Sequence, residues 1–204
     1  MTYYFDSSRK AGTICYEAHG NLYLNITNRC TARCIFCVRD LSDGVYGYNL
    51  RLLYEPSVEE IIQELEMNDL SKYQEVVFTG FGEPTTRLDD MIVLIRWLKR
   101  NDATVRLDTN GHAQLMYPDR DVVAELKKAG LDAVSVSLNA ESVDLYNRLC
   151  QPKYKNAYQS MLEFTKRAIS SGIRTRMTVV GFTETDIEKC ERIASELGAD
   201  FHVR

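Results

Sequence analysis

The sequence has no apolar run near the roughly eighteen residues needed to cross a bilayer, so no segment reads as a membrane span. Its opening stretch, MTYYFDSSRKAG, lacks the apolar core of a signal peptide, which makes the cytoplasm the expected compartment. Positive charge is not in excess: 25 Lys and Arg stand against 29 Asp and Glu, a net of −4. That balance excludes the broad basic face of a nonspecific nucleic-acid binder, while leaving room for one local basic pocket. Proline is scarce, at four, and no linker, internal repeat or low-complexity stretch interrupts the chain. The 204 residues therefore read as a single domain, with 1–20 as an N-terminal hairpin extension and 21–204 as the core.

Short β-rich runs alternate with amphipathic helices. The strand candidates are Leu22–Thr27, Glu75–Gly80, Thr104–Thr109, Ala133–Asn139, Arg174–Val180 and Asp200–Arg204. Several are nearly continuous apolar runs, as in buried parallel strands. Between them, Ser57 to Glu60 makes a capping box ahead of Val58, Ile61, Ile62 and Leu65. Further apolar stripes begin at Leu88, Val122, Met161 and Ile187, and the last three stop at Gly130, Gly172 and Gly198. This alternation predicts α/β architecture with right-handed crossovers and a parallel sheet. A complete eight-unit barrel needs about 250 residues. Six strands therefore predict a partial (β/α)6 TIM-like barrel preceded by a short hairpin, with a doubly wound sheet as the alternative. The first and fourth units carry extra length after their strands, at the end of the sheet where such folds place their chemistry.

Six cysteines in a cytoplasmic chain do not read as a disulfide framework. Cys15, Cys150 and Cys190 are scattered, whereas Cys30, Cys34 and Cys37 crowd into one loop after the first strand, with spacing C-x3-C-x2-C. A [4Fe–4S] cluster commonly takes four thiolates. No fourth cysteine is near, so a cluster held here keeps one iron open to an outside ligand, as catalytic zinc sites keep a position open. The competing reading is a noncatalytic zinc-binding module.

Other motifs sit at the ends of later strands. Gly80-Phe81-Gly82-Glu83-Pro84 offers glycines for close backbone approach and a carboxylate suited to an ammonium, or it is an ordinary turn. Asp108-Thr109-Asn110-Gly111 offers two hard oxygen donors, or an Asx-type turn. Ser135, Ser137 and Asn139 alternate onto one face of the fourth strand, where a polar face is costly unless it binds something. Cys150 lies in the long fourth loop, Leu145 to Pro152, and is a substrate-facing candidate. Arg39, Arg51, Arg106, Tyr46 and Tyr48 are further candidates for substrate contact.

Together, C-x3-C-x2-C after the first strand and GFGEP after the second resemble the radical S-adenosylmethionine (SAM) superfamily over nearly the whole chain. The resemblance implies a [4Fe–4S] cluster on Cys30, Cys34 and Cys37 and SAM on the open iron. It also implies reductive cleavage of SAM to methionine and a 5′-deoxyadenosyl radical that abstracts substrate hydrogen. It places Phe36 near adenine, Gly80, Gly82 and Glu83 at the methionyl amino group, and Ser137 and Asn139 at the ribose. The backbone at Val179 is implied to pack on adenine and His202 to lie near SAM. The DTNG run resembles glycyl-radical activating enzymes, where the Asp and Thr hold a monovalent cation, here Asp108 and Thr109. The segment NLYLNITNRCTARCIFCVRD is similar to radical SAM proteins associated with TatD-type nucleases. Expected partners are an electron donor of flavodoxin or ferredoxin type and an unknown substrate, which is a small molecule, a nucleotide or a peptide.

Overall fold

The computed structural model describes residues 12–204. In chain order the first elements are β1 (Cys15–Ala18), β2 (Asn21–Asn25), α1 (Val38–Leu41), β3 (Gly44–Val45), β4 (Tyr48–Asn49) and α2 (Val58–Glu66). Next come β5 (Val76–Thr79), α3 (Leu88–Arg100), β6 (Val105–Thr109), α4 (Ala113–Met116), α5 (Val122–Ala129) and β7 (Ala133–Ser137). The chain closes with α6 (Val143–Cys150), α7 (Ala157–Ser170), β8 (Arg174–Val179), α8 (Ile187–Leu197) and β9 (Asp200–Val203).

The main sheet runs β1-β2-β5-β6-β7-β8-β9. β2 and the five strands after it are parallel, and only β1 is antiparallel. All six expected strands are present in consecutive spatial order, which is the partial barrel rather than a doubly wound sheet. Alternation explains the two faces. Leu22, Leu24, Val76, Phe78, Val105, Leu107, Val134, Val136, Met177 and Val179 point outward into one core shared with the helices. The other parity points into the barrel: Asn25, Thr79, Arg106, Asp108, Ser135, Ser137, Arg176, Thr178 and His202 share in-register rows. The lumen is thus mostly polar, with Tyr23, Val77 and Ala133 as its apolar members, and the outer face is greasy. The helices seal that outer face with stripes such as Leu88, Met91, Leu94, Ile95 and Leu98 of α3.

Caps set the helix ends. Ser57 and Glu60 form the expected capping box on α2. Asp121 and Asp186 cap α5 and α8, which stop at the left-handed Gly130 and Gly198. No helix among the described residues is long and apolar enough to cross a membrane.

The expected N-terminal hairpin is present, with β2 itself as its second arm, and residues 1–11 lie outside the described part. A two-residue turn with His19 and Gly20 both at positive φ brings β1 onto β2, covering what would be an open edge. One expectation needs correction: the stretch Leu145–Pro152 is not an open loop. Ser142 caps it as α6, with Leu145, Tyr146, Leu149 and Cys150 on its buried side.

Candidate functional site

The cysteine loop leaves β2 at the carboxyl end of the barrel and is stitched to the end of α6. Arg33 N donates to Cys150 O at 3.0 Å, Ile35 N to Leu149 O at 2.9 Å and Lys153 N to Thr31 O at 2.8 Å. Ala32 and Pro152 form a β-bridge. The fourth unit's extra length therefore braces the loop of the first. Cys30 is exposed, and Cys34 and Cys37 are half-buried. Their thiols all sit above the ordinary thiol range: burial leads at Cys30 and Cys37, and a hydrogen bond with Cys150 leads at Cys34.

Cys150 is 1% exposed, so it does not present itself at the open face as expected. Its helix turns it inward behind Cys34, where Asn139 Nδ2 donates to its sulfur at 3.6 Å. Asn139 follows β7 in a left-handed conformation, φ 56°, and is 5% exposed. Its Oδ1 is the one buried side-chain polar atom among the described residues without a hydrogen-bond partner. Buried acceptors are rarely left empty, so this atom marks a place where a donor belongs.

Glu83 is 3% exposed and forms a hub. Its Oε1 accepts from Thr85 N at 3.1 Å, Thr85 Oγ1 at 2.6 Å and Thr109 Oγ1 at 2.8 Å, and its Oε2 accepts from Asn110 N at 2.8 Å. Burial pushes its carboxyl up, and these four bonds hold it down. Three bonds fill Oε1, which leaves capacity only at Oε2 for an outside donor.

Gly80 and Gly82 are required by the protein's own packing. A Cβ at Gly80, φ 121°, would stand 2.2 Å from Asn25 Oδ1, the atom that accepts from Phe81 N. A Cβ at Gly82 would stand 2.4 Å from Thr27 O and 2.6 Å from Arg29 O, where Glu83 N donates to Arg29 O at 2.7 Å. The close approach is between the loop after β5 and the cysteine loop after β2. Gly82→Ala should therefore cost about 3 kcal/mol, read from the urea midpoint, because backbone cannot swing aside as a side chain does. An unchanged midpoint would mean that the two loops part freely.

Asp108 and Thr109 do not converge. They are successive residues of β6 and face opposite sides of the sheet. Asp108 points into the lumen and pairs with Arg106, whereas Thr109 points outward to Glu83. Their side chains therefore do not point at one common ion.

Sequence reasoning missed the residue after the DTNG run. His112 is fully buried, with Nδ1 3.0 Å from Thr31 Oγ1 and Nε2 2.7 Å from Tyr146 OH. Asn110 Nδ2 donates to Thr31 Oγ1 at 2.9 Å and lies 3.8 Å from Cys30 Sγ. One imidazole thus ties the cysteine loop, the β6 loop and α6 together. Burial pushes His112 down to about 4. The unfolded chain takes up a proton near pH 6.5 and the folded chain does not, so stability is full above 6.5 and falls toward pH 4. Between pH 7.5 and pH 5 the metal-free protein should lose about 2 kcal/mol through this residue. His112→Gln should flatten that part of the urea-midpoint profile, and an unchanged slope would assign the loss to other groups. The nearest sequence signal was the turn chemistry of Asn110-Gly111, which points to a bend but not to what the next side chain reaches.

The remaining candidates divide. Ser137 faces the lumen and accepts from Arg204 Nη2 at 3.2 Å. Phe36 is half-buried against the core beside the cysteines. Val179 turns its side chain into the outer core, and its carbonyl accepts from Arg204 N at 2.8 Å, so that backbone is already used by the sheet. His202 lies exposed on edge strand β9, in register with Thr178. Arg106 is buried in the lumen between Glu75 and Asp108. Arg51 and Tyr48 belong to the first connection: Arg51 pairs with Asp43, and Tyr48 packs on Tyr16. Surface clefts of about 280 Å³ and 470 Å³ lie among the helices, away from the cysteines.

The donor set suits an iron–sulfur cluster. Three soft thiols share one loop, and an amide and an orphaned acceptor stand around them. Among the described residues no three Cys, His, Asp or Glu side chains converge on a single ion.

Comparisons with known proteins agree with this arrangement. The chain is 28% identical over 181 residues to a probable GTP 3′,8-cyclase of Thermococcus kodakarensis, covering 87% of this chain and 54% of that one. It is 26% identical over 189 residues to the GTP 3′,8-cyclase of Petrotoga mobilis, covering 90% and 54%. The chain thus spans about half the length of these curated relatives. Among solved structures, SuiB of Streptococcus suis bound to its precursor peptide SuiA superposes with a TM-score of 0.70 at 19% identity, covering 90% of this chain and 38% of that one. Methylornithine synthase superposes with a TM-score of 0.62 at 16% identity, covering 90% and 52%. These two likenesses concern the fold. A model of the radical SAM superfamily matches residues 24–197, which is most of the chain, and the chain belongs to that family.

Proposed function

We propose that this chain carries out radical SAM chemistry on a substrate seated in the polar lumen. A [4Fe–4S] cluster with SAM supplies, when bound and reduced, a 5′-deoxyadenosyl radical that takes hydrogen from the substrate. Cys30, Cys34 and Cys37 hold the cluster at the carboxyl end of the barrel. The free capacity of Glu83 Oε2 faces the methionyl ammonium, and Asn139 Oδ1 takes a ribose hydroxyl. Phe36 lies beside the adenine. α6 and the first connection shield the site from water.

The observation that carries this reading is the orphaned Asn139 Oδ1, set behind a three-thiol loop at the mouth of a polar barrel. A small molecule or nucleotide suits that lumen better than a glycyl-radical protein, since the side chains of Asp108 and Thr109 face opposite sides of β6. The names of the cyclase relatives lean the same way. The reading includes a flavodoxin- or ferredoxin-type electron donor, a cytoplasmic setting and, from the resemblance of the cysteine segment, a link to a TatD-type nuclease.

Anaerobic reconstitution tests it. The protein should turn brown with about four iron and four sulfide per chain. With dithionite and SAM it should release 5′-deoxyadenosine. A colourless, zinc-loaded product would overturn the reading in favour of a metal-binding module.

A further inference from the structure

The lumen holds more guanidinium than carboxylate. Arg106 is buried between Glu75 and Asp108, and Arg174 reaches across the barrel to Glu75 at 3.3 Å. Those two acids are thereby engaged. Arg176 Nε donates to Ser135 Oγ at 2.8 Å and Arg204 Nη2 to Ser137 Oγ at 3.2 Å. Neither forms an ion pair with any carboxylate among the described residues, not even Asp200, which lies beside Arg176 in register. Ser135 and Ser137 are consecutive inward residues of β7, about 7 Å apart. The two forks therefore rest one pleat apart on the same wall, toward the end where the cysteine loop lies. Arg204 is held there by its backbone, whose N donates to Val179 O at 2.8 Å and whose O accepts from Gly181 N at 3.0 Å.

Asp108 lies near both guanidiniums but is already paired with Arg106, so the two like charges still repel each other, and an anion between them removes that penalty. A guanidinium fork matches oxyanions in particular, through paired N–H donors. From this placement we infer that the substrate carries an oxyanion group, phosphate or carboxylate, which Arg176 and Arg204 clamp against the β7 wall. The inference rests on the radical SAM reading for the word substrate, and it deepens that reading by naming the substrate's chemical class.

Calorimetric titration of the anaerobically reconstituted protein tests it, using inorganic pyrophosphate and malonate as probes, each with and without saturating SAM. One of the two anions should bind at one site per chain whether or not SAM is present. Preference for pyrophosphate assigns a phosphate, and preference for malonate a carboxylate. Arg176→Gln and Arg204→Gln should each weaken binding by about tenfold or more. Asp108→Asn removes the one acid near both guanidiniums and should tighten binding several-fold, a gain that a misfolded variant cannot produce. Absence of binding at millimolar anion, binding indifferent to both arginines, or displacement of the anion by SAM would each overturn the inference; displacement would give the guanidiniums to the methionyl carboxylate. A wild-type chain that makes 5′-deoxyadenosine but binds neither anion sinks this inference alone. One that binds anion but makes none sinks the radical reading.

Discussion

Cys34→Ala should leave the reconstituted protein with well under the roughly four iron atoms per chain of a full cluster. The brown absorbance should go with them, and 5′-deoxyadenosine formation should fall to background. With one thiolate gone only two remain in the loop, too few to hold a full cluster. Cys34 is the most instructive of the three because the buried Cys150 thiol lies close enough to perturb its own. If Cys150 rotates forward as a substitute ligand, partial iron will survive in Cys34→Ala and vanish in the Cys34→Ala/Cys150→Ala double variant. Cys37→Ala has no such neighbour and should lose its iron outright. Full iron in Cys37→Ala would remove the three-thiol loop from the centre of the proposed function.

Glu83→Ala should be the most destabilising substitution in the site, by at least about 4 kcal/mol. The carboxylate accepts from Thr85 N, Thr85 Oγ1, Thr109 Oγ1 and Asn110 N while almost wholly buried. Truncation leaves four donors without a partner, and each unsatisfied buried group costs about 1–3 kcal/mol before water relieves part of it. Against a total stability on the order of 5–15 kcal/mol, that is a large share. Glu83→Gln keeps an acceptor for the crowded Oε1 position but turns an N–H toward Asn110 N, so an intermediate loss of about 2 kcal/mol is expected. Urea midpoints of the metal-free protein should therefore rank wild type, then Gln, then Ala. A wild-type midpoint for Glu83→Ala would mean that the carboxylate matters only to a bound ligand. The same pair separates structure from binding: Glu83→Gln, if folded, should lose SAM affinity beyond what its stability explains.

The sequence by itself determined the strand order in time, the helix stripes and the site of the three cysteines. Those signals are local: alternation of apolar residues, the capping box at Ser57 and Glu60, and glycines that accept left-handed backbone at 130 and 198. Only the tertiary structure decided what stands across from what. That Thr109 bonds Glu83 while Asp108 faces the lumen follows from which parity of β6 meets the helices. That Cys150 lies behind Cys34, that His112 reaches both Thr31 and Tyr146, and that Gly82 serves the backbone of Thr27 and Arg29 depend on loops brought together from far along the chain. Of Arg106, Arg174, Arg176 and Arg204 the sequence singled out only Arg106, and the register of β6 to β9 is what brings the four around one lumen. Local pattern fixes which face a side chain prefers. The closing of the barrel fixes its neighbours, and so its chemistry.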